Sequence, residues 1–475
     1  MNNFVKQLKI GTKWTVLDKV ANQLLKFLVL MVLARLLTPE DFGLVAIAMF
    51  FVIICETIVS SGLTHAYINT SENNKSLFFN LVISNLVIGI LLTTILIMIS
   101  SLIEEHYEII GLGLVIKSLS VIIVLDSFYF SLRAKLEKEL EFKKSAFINL
   151  PSYFIGAISG VAAAYLGAGY WALVIQLIVY KLIGLGLMLA VFSFSDKDEP
   201  KSNRVELRYI RSFFHYGWKL QISAVLNVFS KEMSVLLIGG NLGVSNAGTY
   251  SRANNLQNLV MQTVVLVVER VAFPILSKFK DNSSELRGAF ALTNRLYGLF
   301  LYPLIFLVSL NSNIIVEVIF GPGWKDSAEV LSIIVLCGLT RFMQSTNLTH
   351  LKVIGRTDVL LKLRVSEVVI TLTFLYFGLK WGIIGLAYAQ VISTFTNYLV
   401  MAIVSSKYTD FKLVEQISGN LNVLLLSTLL YIVLCQSFDN VQSFYELCLT
   451  STLYLIFYSV GVLFLYKNSR VDFKL

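Results

Sequence analysis

Charge is scarce in this sequence. Only 15% of its 475 residues are Asp, Glu, Lys or Arg, against about a quarter in soluble globular domains. That composition cannot cover a water-facing surface, so a soluble enzyme or a soluble nucleic-acid-binding protein is excluded as the class of the whole chain. Proline is equally rare, at six residues, and little interrupts the apolar runs. Segments of about ten alternating residues, the mark of a membrane β-barrel, are missing. Cysteine is limited to Cys55, Cys337, Cys435 and Cys448. These have no CxxC spacing and are expected as small buried hydrophobes rather than disulfides or ligands. His65, His106, His215 and His350 are scattered without ligand-like spacing. No nucleotide-binding loop, metal motif or nucleophile arrangement is found, so neither an enzyme nor a cofactor is expected.

What the chain has is hydrophobic length. Hydrophobic residues make up 56% of it and its mean hydropathy is +0.73, which predicts an all-α polytopic membrane protein. Windows of about twenty apolar residues fall near 12–37, 43–63, 77–102, 109–132, 146–166, 169–194, 212–239, 247–273, 289–311, 327–349, 359–379, 382–405, 418–436 and 445–466. The basic start (Lys6, Lys9, Lys13) leads into a run that contains charges and no small-residue cleavage site. It reads as a first membrane helix and not as a removed signal peptide.

The loops check that count of fourteen. Basic residues crowd alternate connections, as in Arg133, Lys135, Lys138, Lys143 and Lys144, in Lys197, Lys201, Arg204, Arg208 and Arg211, and in Lys467, Arg470 and Lys474. The intervening loops hold only Lys325 and Lys380, with Arg35 at a boundary. Cations are retained on the cytoplasmic side, so an even number of spans with both termini in the cytoplasm is expected. The net charge of +9 thus reports topology and membrane lipids, and nucleic acid is not an expected partner.

The chain also repeats itself. Adding 205 maps Asn22 onto Asn227, Lys26 onto Lys231 and Gly43 onto Gly248. Gly167–Gln176 parallels Gly382–Gln390 at a shift of about 214. The expected organisation is an N-terminal six-helix lobe at 1–196, a cytoplasmic linker at 197–211, a parallel six-helix lobe at 212–406 and a helix pair at 407–475.

The first window carries charge. Thr15, Lys19, Asn22 and Lys26 are spaced four, three and four apart and lie on one helix face. A lysine near mid-membrane costs about 2.5–3.5 kcal/mol, so this stripe must face acids or a wet cavity that receives an anion. The seventh window repeats it with Lys219, Ser223, Asn227, Lys231 and Ser234. Polar residues then open the eighth, with Arg252, Asn254, Asn255, Gln257 and Asn258.

Within the windows, Lys19, Lys26, Arg35, Lys117, Lys181, Lys219, Lys231, Arg252, Arg270, Arg295, Arg341 and Arg364 face only Asp18, Glu56, Asp126, Glu232, Glu269 and Glu367. The excess predicts a positive cavity attractive to phosphate or carboxylate. Arg35, Lys117, Lys181 and Arg364 are expected to snorkel to headgroups. Lys19, Lys26, Lys231 and Arg252, with Asn22 and Asn227, are the expected substrate-binding set. Asp18 and Glu232 are candidates for coupling H+ or Na+, or for neutralising their neighbouring lysines.

LARLLTPEDFGLVA (Leu33–Ala46), Tyr216–Leu256, FPILSKFKDN (Phe273–Asn282), FGPGWKDSAEVL (Phe320–Leu331) and VIGRTD (Val353–Asp358) resemble the polysaccharide-type flippases of the multidrug/oligosaccharidyl-lipid/polysaccharide exporter superfamily. The resemblance implies two six-helix bundles around a cationic cavity. It also implies export of undecaprenyl-diphosphate-linked oligosaccharide repeat units across the bacterial inner membrane by alternating access, for O-antigen, capsule or exopolysaccharide assembly beside a polymerase and chain-length machinery.

A drug or metabolite antiporter of the same superfamily would show acids dominating its cavity. A membrane polysaccharide polymerase would carry a large external loop, longer than the stretch Asn311–Asp326. A lipid II flippase would share the cationic cavity.

Overall fold

The computed structural model describes residues 2–70, 75–195, 206–278, 283–353, 356–408, 413–437 and 444–468. The linker expected at 197–211 falls mostly outside them. The described residues form helices α1 (Asn2–Leu36), α2 (Pro39–Asn69), α3 (Lys75–Tyr107), α4 (Leu112–Lys138), α5 (Phe142–Tyr165), α6 (Trp171–Ser195), α7 (Leu207–Leu242) and α8 (Val244–Lys278). They continue with α9 (Ser283–Leu310), α10 (Ser312–Phe320), α11 (Lys325–Ile334), α12 (Gly338–Val353), α13 (Thr357–Gly378), α14 (Gly382–Ser405), α15 (Leu413–Ser437) and α16 (Phe444–Asn468).

Each apolar window falls on helix. The tenth runs through α11 and α12, which are joined by a 3₁₀ turn at Val335–Cys337. Among the described residues, ten stretches are long and apolar enough to cross a membrane, and one of them, Asp358–Ser405, contains both α13 and α14.

The apolar surface is turned outward, as lipid requires. Val87, Ile90, Leu91, Ile95, Met98 and Leu102 on α3 are exposed, as are Leu455, Ile456, Phe457, Val460, Leu463 and Phe464 on α16. A water-soluble protein rarely leaves contiguous apolar faces of this kind open. Cys448 lies on such an exposed face and only Cys337 is buried, so the expectation of four buried thiols fails where a helix faces lipid.

By packing, the chain divides into two compact units, Met1–Gly248 and Thr249–Leu475. In the first, α1 lies along α5, α2 along α4 and α7, α3 along α4, and α5 along α6. Thr38 forms a capping box with Asp41, and Pro39 stands at the first helical position of α2. The α1–α2 corner is therefore written locally, since proline there loses no needed hydrogen bond and the Asp41 carboxylate closes the orphan amide of Thr38.

The start of α7 is tied to this unit as well. Ser76 Oγ donates to Glu206 at 2.8 Å, and the Glu206 amide donates to Asn80 Oδ1 at 2.8 Å. Further along, Gln221 Nε2 donates to the Ile58 carbonyl at 2.8 Å, and Phe229 tilts against Phe50.

The sequence repeat is visible in element bounds. Adding 205 to Asn2 and Pro39 gives Leu207 and Val244, the first residues of α7 and α8. The repeat-related glycines also meet. A Cβ on Gly43 would lie 1.9 Å from the Val244 carbonyl oxygen, and one on Gly248 would lie 1.8 Å from the Pro39 oxygen. The N-terminal turns of α2 and α8 cross with their backbones in contact, a spacing that only residues without a side chain permit.

In the second unit α9 packs with α15, α12 with α14, and α13 with α14. Its interior is stitched by neutral side chains. Thr346 Oγ1 donates to Asn294 at 2.8 Å, and Asn347 Nδ2 donates to Gln416 at 2.9 Å. Ser405 Oγ donates to Asn347 Oδ1 at 3.0 Å, and Asn397 Nδ2 donates to Thr371 at 3.1 Å.

Candidate functional site

The polar stripe of α1 is displayed along the helix. Lys19 and Lys26 are exposed and Asn22 is half-buried, while Leu33 and Ala34 near the other end are buried. Asn22 lies one turn after Asp18, and its Nδ2 donates to Asp18 Oδ1 at 2.6 Å and to the Asp18 carbonyl at 3.0 Å. The other Asp18 oxygen accepts from Asn149 Nδ2 of α5 at 3.2 Å, and Tyr129 of α4 donates to Asn149 Oδ1 at 2.7 Å. Asp18 is thus held by amides, and among the described residues no ion pair joins it to Lys19.

The Lys26 ammonium lies 5.8 Å from the centroid of the Tyr153 ring, a distance at which the ring's negative face attracts a cation. Asp18 and Lys181 are the charges within its electrostatic reach. Tyr153 in turn meets Tyr180 edge-on at 5.5 Å between centroids, and its hydroxyl accepts from Gln176 at 3.5 Å.

On α7, Lys231 is exposed and Asn227 and Glu232 are half-buried, and Lys219 sits 5.6 Å from the Trp218 ring centroid. All of these belong to the first unit. Arg252 belongs to the second, half-buried, with Nη2 donating to Ser251 Oγ at 3.4 Å. The site set expected from sequence is therefore split. Asp18 and Asn22 are joined directly, Lys26 stands near them, and Arg252 lies in the other unit. Glu269 and Arg270 lie where side chains are not described.

Two expectations are corrected. Lys181 does not snorkel to headgroups. Its Nζ is 2.5 Å from Asp126 Oδ2 and 3.3 Å from Glu56 Oε1, because carboxylates on α2 and α4 are nearer than water. Arg364 likewise pairs with Glu367 one turn on, at 2.5 Å. In low dielectric a charge takes an opposite charge within reach before it extends to the interface. These pairs consume half of the acids expected inside the membrane, and they leave Lys19 and Lys26 without an ion pair among the described residues. Lys117 keeps an exposed position and donates to Ser101 Oγ at 3.1 Å.

Sequence reasoning passed over Tyr129, Asn149, Tyr153, Gln176 and Tyr180. One signal was available for two of them: Asn149 and Tyr153 are four apart on α5 and so share the face that meets α1. The others depend on which helices become neighbours.

At the end of the first unit where the α1–α2, α3–α4, α5–α6 and α7–α8 connections gather, a cavity of about 750 Å³ is lined by Glu40, Asp41, Glu108, Tyr107, Tyr170 and Asn241, among others. It contains three carboxylates and no cation, so a phosphate is repelled there. The lysines of α1 and α7 are not among the residues that line it.

A family described as "Polysaccharide biosynthesis protein" matches residues 32–329. The chain is 24% identical over 409 residues to the lipopolysaccharide biosynthesis protein WzxC of Escherichia coli (strain K12), covering 84% of this chain and 82% of the relative. It is 27% identical over 347 residues to the succinoglycan biosynthesis transport protein ExoT of Rhizobium meliloti (strain 1021), covering 73% and 69%. Among solved structures, the lipid II flippase MurJ in an inward closed conformation superposes with a TM-score of 0.73 at 14% identity, covering 95% of this chain and 99% of that one. That last likeness establishes the fold.

Proposed function

The chain belongs to the polysaccharide biosynthesis protein family, and from that premise we propose that it is a flippase for undecaprenyl-diphosphate-linked oligosaccharide repeat units in the bacterial inner membrane. One observation carries the reading. Lys19 and Lys26 stand exposed on α1 without an ion pair among the described residues, and Lys231, the repeat partner of Lys26, is exposed as well. A lysine that faces acyl chains costs about 2.5–3.5 kcal/mol. A stripe of them is tolerated where it meets water and an anion.

In this mechanism Lys19, Lys26 and Lys231 compensate the charge of the diphosphate. Asn22 and Asn227 offer amide hydrogen bonds to sugar hydroxyls. The prenyl tail stays in lipid and keeps its hydrophobic stabilisation, so only the head group needs shielding while the access alternates from one leaflet to the other. The basic loops support cytoplasmic termini, and the direction of transport in this reading is outward. An H+ or Na+ gradient supplies the drive, no covalent bond changes, and the product is handed to a polymerase with its chain-length machinery.

The test replaces Lys26 and Lys231 with alanine, singly and together, in cells that lack the native gene. Surface glycan and accumulated lipid-linked intermediate are measured at matched protein levels. The double variant is expected to lose most surface glycan and to accumulate the intermediate. Full glycan output from it would remove both lysines from the mechanism.

A further inference from the structure

The most buried charged cluster described in the chain lies away from the lysine stripe. Asp126 on α4 is 1% exposed. Its Oδ2 holds Lys181, while its Oδ1 is buried and accepts from no donor. The Glu56 carboxyl of α2 adjoins it and shares the same ammonium at 3.3 Å. Two carboxylates and one lysine carry a net charge of −1 if all are ionised. A buried net charge is expensive, and two carboxyl groups beside each other relieve it by keeping one proton between them. The orphaned Asp126 oxygen next to a second carboxyl is where that proton fits.

We propose that Glu56, Asp126 and Lys181 form a proton-binding site, and that its occupancy sets the charge beside Lys26 and thereby the affinity for the anionic head group. A metal cation fits less well, since the Lys181 ammonium already occupies the cation position between the carboxyls. The proton has a route in: the Glu56 side chain is 17% exposed and that of Lys181 is 20% exposed, so Glu56 is the open end of the pair and Asp126 the closed end.

The other ionisable groups facing the cluster are Tyr129 and Arg133 from α4, Tyr180 from α6, Cys55 beside Glu56 on α2, and Asp18 and Lys26 from α1. From α5 only Tyr153 approaches, against Tyr180. Amide donors occupy both oxygens of Asp18. The link to the stripe is short: Lys181 follows Tyr180, Tyr180 meets Tyr153, and Tyr153 faces Lys26. With the proton bound the cluster is neutral and Lys26 attracts a diphosphate unopposed. With the proton lost, the extra negative charge opposes it. Linkage then requires that binding the head group takes up a proton.

The experiment uses the purified full chain in lipid nanodiscs, as wild type, E56Q and D126N. Both substitutions keep the side-chain shape and a partner for Lys181. Infrared difference spectra across pH look for a protonated carboxyl, and calorimetry in buffers of different ionisation enthalpy measures protons taken up when undecaprenyl diphosphate binds. This second arm rests on the proposed flippase reading. The expected result is a titrating carboxyl band in the wild type that each substitution removes. Affinity should fall by up to about tenfold per pH unit while the pair loses its proton, and this dependence should flatten in D126N. A carboxyl band unchanged by both substitutions overturns the proposal, and so does equal proton uptake in all three proteins. Failure of the wild type to bind undecaprenyl diphosphate at any pH sinks the flippase reading instead, and the infrared arm still decides the proton site.

Discussion

The two units of this protein differ in how much charge their interiors bury. In the first, charged groups bridge helices beside neutral ones: Lys181 joins Glu56 and Asp126 and Asp18 accepts from Asn149, while Tyr129 donates to Asn149 and Asn85 donates to Ser131 at 2.8 Å. In the second, the described bridges between helices are mostly neutral: Thr346 to Asn294, Asn347 to Gln416 and Ser405, Asn397 to Thr371, and Thr450 to Asn311 at 2.9 Å. Of the ion pairs there, Arg364–Glu367 stays on one helix, and Arg287–Glu415 joins α9 to α15 at an exposed position. Neutral hydrogen bonds fix helices at little risk, since nothing in them titrates. Charged clusters in low dielectric are costly and change state with a proton or an anion. The deeply buried charge is therefore concentrated in the first unit, at Asp126, whereas the buried polar residues described in the second are neutral.

Three substitutions probe that contrast. The largest effect is expected from Lys181→Met, which leaves two carboxylates side by side. The folded protein should lose about 3–5 kcal/mol, read as a lower melting temperature in nanodiscs, and adding E56Q and D126N to the same chain should recover most of it. A Lys181→Met protein that melts like the wild type would erase the distinction between the units. Asn347→Leu in the second unit removes the hydrogen bonds to Gln416 and Ser405 and should cost about 1–3 kcal/mol. That loss should be the same at pH 6 and pH 8, whereas a loss that varies with pH would mean the second unit also titrates. Smallest is Arg364→Met, which removes a half-buried pair one turn apart and should cost about 0.5–1 kcal/mol. A cost as large as that of Lys181→Met would make the second unit as dependent on charge as the first.

Much of the fold was legible in the sequence. Helix length in a membrane is a direct consequence of apolar run length, and each window fell on helix. The α1–α2 corner was legible too, because Thr38, Pro39 and Asp41 terminate and restart a helix by local chemistry. The repeat named Gly43 and Gly248 as partners through a shift of 205, yet no sequence pattern said that they touch. The break in the tenth span, at Val335–Cys337, was hidden because hydropathy does not register a 3₁₀ turn.

The site was legible only along single helices. The stripe of Lys19, Asn22 and Lys26 follows from periodicity. The destination of Lys181 does not, since its partners Asp126 and Glu56 lie 55 and 125 residues away in sequence and become neighbours only once α2, α4 and α6 pack together. The snorkelling expectation erred for the same reason, by weighing each lysine against lipid without knowing which acids would be within reach.

The central claim is that the lysine stripe of α1 meets water and an anionic lipid head, and cysteine labelling tests it most directly. In a chain freed of its four native cysteines, Lys26→Cys is exposed to a membrane-impermeant thiol reagent in oriented vesicles, with and without undecaprenyl diphosphate. The account predicts rapid labelling that the lipid diphosphate slows. A cysteine at position 26 that resists the aqueous reagent, or labels at the same rate with the lipid present, would contradict it.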